Sequence, residues 1–67
     1  MYAIYVIKNC ITEGYYTNVL SGKYCFAGIL FAKKFLTYGD AEKIIEEINA
    51  AKQEGLYCIE KLFIVSK

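Results

Sequence analysis

The stretch Phe35 to Tyr57 reads Phe-Leu-Thr-Tyr-Gly-Asp-Ala-Glu-Lys-Ile-Ile-Glu-Glu-Ile-Asn-Ala-Ala-Lys-Gln-Glu-Gly-Leu-Tyr. It decides the fold because it holds a helix start, a helix face and a helix stop. Thr37 is a good N-cap. Asp40, three residues on, is placed to return a hydrogen bond to the cap in a shortened capping box, and it sets negative charge at the positive helix end. Ala41, Ile44, Ile45, Ile48 and Ala51 recur at helical spacing as one apolar stripe, while Glu42, Lys43, Glu46, Glu47, Ala50 and Gln53 cover the rest. Gly55 is expected to end the helix as its left-handed residue, with Leu56 folding back onto the last turn. Upstream, Ala32-Lys33-Lys34-Phe35-Leu36 reads as a short extended lead-in. Phe35 is placed to anchor it, and Leu36 to staple onto Ala41.

Outside this stretch the chain reads as strand. Tyr2 to Ile7 is apolar on both alternating faces, which suits a central strand covered on two sides. Asn9 to Gly14 is a short connection that lets Tyr15 to Leu20 return antiparallel. Ser21-Gly22-Lys23 is a second turn, after which Tyr24 to Phe31 is a third strand in which Gly28 marks a bulge or a break. Beyond the helix, Leu56 to Val65 is the strongest strand. Its two alternating sets, Tyr57, Ile59, Lys61, Phe63, Val65 and Cys58, Glu60, Leu62, Ile64, both turn apolar past Lys61. A bulge near Lys61, or a partner covering the distal half, would each explain the change.

A helix of about 16 residues spans about 24 Å, and a strand of about seven residues spans about 23 Å, so one helix covers one sheet face. The expectation is a single α+β domain over residues 1–67: a small antiparallel sheet of three to four strands with one amphipathic helix packed on one face. The opposite face has no second helix to cover it.

Composition narrows the function classes. A chain of 67 residues that is 57% hydrophobic has more large apolar side chains than so small a domain can hide, and apolar area left outside marks a partner surface. Self-association as a homodimer is the expectation. Eight Lys against seven acidic residues give a net charge of +1, and Arg, His and Trp are absent. That balance offers no steering toward DNA or anionic lipid, and no guanidinium for bidentate phosphate contacts. The three cysteines, Cys10, Cys25 and Cys58, lack a His to complete a usual zinc site and read as small half-buried thiols of a reducing cytoplasm. No basic region precedes an N-terminal apolar stretch, so no signal peptide is expected. The longest apolar run, Tyr24 to Ala32, is too short for a spanning helix, which needs about 20 residues.

The segment Ala32-Lys33-Lys34-Phe35-Leu36-Thr37, then Ala41-Glu42-Lys43-Ile44-Ile45, lies after a Tyr-rich hairpin and before a Tyr-x-Ile strand at Tyr57 to Ile59. This arrangement resembles a pattern in small orphan proteins of phages and mobile elements. The resemblance implies stoichiometric binding of a host protein, in some cases a defence component, as anti-CRISPR inhibitors do. It transfers no functional residue.

The chemistry-bearing residues point away from catalysis. A Cys or Ser nucleophile has no His to serve as its base, and no glycine-rich phosphate loop is present. Glu42, Glu46 and Glu47 read as a solvated helix surface, and no cofactor or metal is expected. The aromatics carry more: seven Tyr and four Phe make up 16% of the chain, and Tyr gives large contact area at low entropy cost. The expected interaction surface is Tyr5, Tyr16 and Tyr57 on the open sheet face, with Phe63 and Val65 on a strand that pairs across a dimer. Two other classes stay open at this point. One is a small-ligand or nucleotide-sequestering homo-oligomer with a pocket between protomers. The other, ranked below it, is nucleic-acid binding, for which the stacking aromatics lack a basic groove.

Overall fold

The structure, a computed structural model, describes residues 2–53 and 55–64. The chain runs β1 (Tyr2–Asn9), β2 (Tyr15–Leu20), β3 (Lys23–Ala27), a 3₁₀ turn (Ile29–Phe31), α1 (Tyr38–Ala50) and β4 (Tyr57–Ile64). The strands form one antiparallel sheet in the order β3-β2-β1-β4, so the fold is α+β with β1 inside the sheet.

Local signals set most of the element ends. Asn9 closes the first connection by accepting from the N–H groups of Ile11 (2.9 Å) and Thr12 (3.3 Å) at its Oδ1, an Asx-type turn. Ser21 and Gly22, both at positive φ (51° and 78°), make the two-residue turn that suits the twist of β2 and β3. β3 stops before Gly28, which caps the 3₁₀ turn, so Gly28 marks a break rather than a bulge. Thr37 caps α1, its Oγ1 accepting from the Asp40 N–H at 3.2 Å.

Three features depart from the reading of the sequence. First, α1 ends at Ala50 with Ala51 as its C-cap, several residues before Gly55. The left-handed position is Lys52 (φ 57°), not a glycine. Its N–H donates to the Asn49 carbonyl at 3.0 Å and the Gln53 N–H donates to the Ile48 carbonyl at 3.3 Å, the pair of bonds of a Schellman motif. A tertiary contact accompanies the early stop. The Gln53 side chain accepts from the Tyr24 N–H at 3.0 Å and donates to the Tyr24 carbonyl at 2.9 Å, standing in for a strand on the outer edge of β3. Second, Leu36 is 76% exposed and does not staple onto Ala41, whereas Phe35 is buried as the anchor.

The third departure concerns the sheet itself. β1 and β2 pair only at Lys8↔Tyr15, and a bulge between Tyr16 and Asn18 then bends β2 away. The lead-in segment fills the gap. Phe35 exchanges both backbone hydrogen bonds with Tyr5 (2.8 and 2.9 Å), and the Lys33 N–H donates to the Tyr16 carbonyl at 2.8 Å. Residues 33–35 therefore act as a spacer between two strands that adjoin in the sheet order.

The core lies between the sheet and α1. Ile7, Tyr16, Phe35 and Ala41 form its centre, with Tyr5, Tyr24, Phe26, Ile44, Ile45, Tyr57 and Ile59 packed around it. The Tyr16 ring stacks on Phe35 (centroids 6.2 Å apart) and Phe26 stacks on Tyr57 (5.4 Å). On the other face, Tyr15 of β2 reaches over β1 to β4, its hydroxyl donating to Glu60 Oε1 at 2.8 Å. Glu60 lies directly across from Val6, so this phenol passes over Val6 and leaves it 1% exposed.

Candidate interaction surface

Register fixes which face each aromatic occupies. Tyr5, Ile7 and Asn9 of β1 stand opposite Lys61, Ile59 and Tyr57 of β4, and directly opposed residues share a face. Ile7 belongs to the helix-side core, so the whole odd-numbered set faces the helix. The expectation that Tyr5, Tyr16 and Tyr57 line an open sheet face is corrected on this ground. Tyr16 is 4% exposed at the centre of the core, and Tyr57 packs on Phe26 while its hydroxyl donates to the Gln53 carbonyl at 3.3 Å. Tyr5 is half-buried, with its ring edge-on to Tyr38 at 6.0 Å. The opposite face is closed in its middle by the Tyr15–Glu60 hydrogen bond, with the Lys8 ammonium 6.0 Å from the Tyr15 ring.

Burial and these contacts also govern the phenols. The Tyr15 hydroxyl titrates above its ordinary value, first because it donates to Glu60. Burial pushes Tyr16, Tyr24 and Tyr57 upward as well.

The thiols differ from expectation too. Cys10 and Cys58 are joined in a disulfide across 6.8 Å of Cα separation, and Cys25 is free. Register explains the pairing: Cys58 stands opposite Lys8, and the Cys10 N–H donates to the Leu56 carbonyl at 2.6 Å, which carries the first connection alongside β4.

The distal half of β4 is the part of the expected surface that stays accessible. Phe63 is 63% exposed, with the Lys61 ammonium 5.3 Å from its ring; Val65 lies outside the described residues. The pairing of β1 with β4 is continuous from Tyr2↔Ile64 to Asn9↔Tyr57. No bulge interrupts it at Lys61, so a bulge does not account for the lost alternation. Phe63 stands across from Ala3 and Lys61 from Tyr5, which places Tyr5, Tyr38, Lys61 and Phe63 at one end of the helix-side face. Tyr38 was not singled out in the sequence, because it reads there only as the first helical residue.

The backbone of β4 adds a second property. Tyr5 exchanges its hydrogen bonds with Phe35 on the far side of β1, so the Tyr5–Lys61 pair is a non-hydrogen-bonded one. Ile59, Lys61 and Phe63 therefore turn their N–H and C=O groups outward, along an edge that no strand covers among the described residues. The β3 edge, in contrast, is met by Gln53 at Tyr24.

Elsewhere, Ile29, Leu30 and Phe31 are exposed on the connection out of β3. Among the described residues no three of His, Cys, Asp or Glu gather to hold a metal, no ligand-sized cavity opens, and no helix is long and apolar enough to cross a membrane. Compared with models of known families, with curated proteins and with solved structures, the chain matches none.

Proposed function

We propose that this chain is a binding protein without turnover that acts by strand addition, its β4 edge accepting a strand from a second copy. The homodimer so formed would occupy a surface on a host protein, the role implied by the resemblance to small phage and mobile-element proteins. One observation carries the reading. The distal half of β4 combines outward-turned backbone groups at Lys61 and Phe63 with an exposed Phe63 ring, on a strand whose pairing to β1 has no irregularity. An uncovered edge with apolar side chains is a template for another strand.

Proline at Lys61 tests it. The Lys61 N–H points away from β1, so Lys61→Pro removes no backbone hydrogen bond inside the protomer while deleting one the added strand needs. Wild-type protein is expected to sediment as a dimer at high micromolar concentration, and Lys61→Pro as a monomer with an unchanged far-ultraviolet spectrum. Wild-type protein that stays monomeric at about 1 mM, where contacts at the weak end of specific interfaces assemble, refutes strand addition to a second copy.

A further inference from the structure

We infer that the second copy pairs with β4 in one register, centred on Leu62; this rests on the strand-addition reading. Two β4 strands joined edge to edge around a two-fold axis run antiparallel. Faces match across the pair only when the numbers of opposed residues sum to an even value, so one residue always lies opposite its own copy. The choice is therefore which residue sits on the axis.

The longest overlaps within Tyr57–Ile64 centre on Glu60 or Lys61. The first sets Glu60 against Glu60 of the partner subunit and the second sets Lys61 against the partner subunit's Lys61, and like charges directly opposite are destabilising. Centring on Ile59 avoids the like charges but sets Phe63 beyond the partner's strand, against Gly55, leaving the exposed apolar side chain of β4 uncovered.

Centring on Leu62 meets both conditions. Lys61 then stands opposite the partner's Phe63, and Phe63 opposite the partner's Lys61. These are residues with outward backbone groups, so each opposed pair exchanges two hydrogen bonds. Each ammonium, already 5.3 Å from its own Phe63 ring, gains a second ring, and each ring gains a second cation. On the other face Leu62 meets the partner's Leu62 as a non-hydrogen-bonded pair, the closer of the two spacings. The charged dipeptide at the middle of β4 thus disfavours the fully overlapped dimer and shifts the pairing toward the distal end, where both sets of side chains turn apolar.

The experiment needs no substitution. An equimolar mixture of ¹³C-labelled and unlabelled wild-type protein, at a concentration where sedimentation shows dimer, is examined by isotope-filtered nuclear Overhauser spectroscopy. The Leu62 register is expected to give contacts between subunits from Lys61 side-chain protons to the Phe63 ring and from Leu62 methyls to Leu62 methyls. Contacts from Phe63 to Ile59 or Tyr57 would mark the registers centred on Lys61 or Glu60. Contacts from Tyr57 to Lys61 together with Ile59 to Ile59 would mark the Ile59 register. Any of these overturns the Leu62 assignment while leaving strand addition in place. A dimer whose contacts between subunits involve no β4 residue overturns both.

Discussion

Removing the Cys10–Cys58 disulfide should cost this protein much of its stability, and the amount follows from chain length. The bond joins residues 48 apart, and in the chain-entropy description a closed loop of that size restricts the unfolded state by about 4 kcal/mol at 25 °C. A 67-residue domain at the usual stability per residue has about 3–10 kcal/mol in total. The reduced protein is therefore expected to retain between none and about 6 kcal/mol of that stability. The assay is urea denaturation of Cys10→Ser/Cys58→Ser beside the oxidised wild type, read by circular dichroism, with the Cys25→Ser variant as a control for thiol exchange. A lowered midpoint with a somewhat steeper slope, because the unfolded chain without the cross-link exposes more surface, equivalent in all to a loss of about 3–5 kcal/mol, is the expected result. A shift under about 1 kcal/mol would show that the bond adds nothing beyond the existing β1–β4 pairing, and would refute the entropic reasoning. The outcome also bears on compartment: disulfides persist in oxidising surroundings, so a large loss would leave the chain poorly folded in the reducing cytoplasm that its cysteine count first suggests.

Two backbone positions make opposite predictions. Lys52→Gly should stabilise by about 1 kcal/mol, because Lys52 occupies the left-handed C′ position (φ 57°) that glycine takes without strain. Gly55→Ala should destabilise by about 2 kcal/mol or more, because Gly55 sits at φ 153° and a Cβ there would lie 2.6 Å from the Tyr57 hydroxyl; thermal melts of both variants check the pair. Stability should also fall in alkali. The phenols of Tyr15, Tyr16, Tyr24 and Tyr57 titrate above 10.0 when folded, while unfolded tyrosines ionise near pH 10. Their contribution is thus complete below about pH 10 and is lost as pH rises through the folded values. Urea midpoints from pH 8 to 11.5 should show the decline, with a smaller decline in Tyr16→Phe; a flat profile would refute it.

The parts of the fold that were legible in the sequence are those set by a few adjacent residues. Thr37 as cap, the Ser21-Gly22 turn, the break at Gly28 and the buried anchor Phe35 each follow from local chemistry, and the structure has all four. The helix end is not legible because Gly55 is the stronger local stop signal, while the early stop at Ala51 comes with a contact to Tyr24, 29 positions from Gln53. The tyrosine faces differ from expectation for a related reason. Tyr2 to Ile7 is apolar at both parities, so nothing local says which set meets the helix, and that is settled by Phe35 entering beside Tyr5. The cysteine pairing depends on β4 returning beside β1, a contact with no trace in spacing alone. Of the expected surface, the exposure of Phe63 is legible because alternation fails past Lys61, and that failure is a property of the strand itself.

The placement of β1 also orders events during synthesis. Every residue of β1 waits for a β4 partner made between 48 and 62 positions later, from Asn9↔Tyr57 to Tyr2↔Ile64. Its other neighbour, Phe35, follows Tyr5 by 30 positions, and the nearby hairpin offers it only the single Lys8↔Tyr15 pair. A nascent chain that has just completed α1 would therefore hold an apolar first strand with one long side unpaired, the condition in which extended segments associate with one another. The sheet closes only when the last strand arrives, so folding should be governed by long-range closure and be slow for so short a chain.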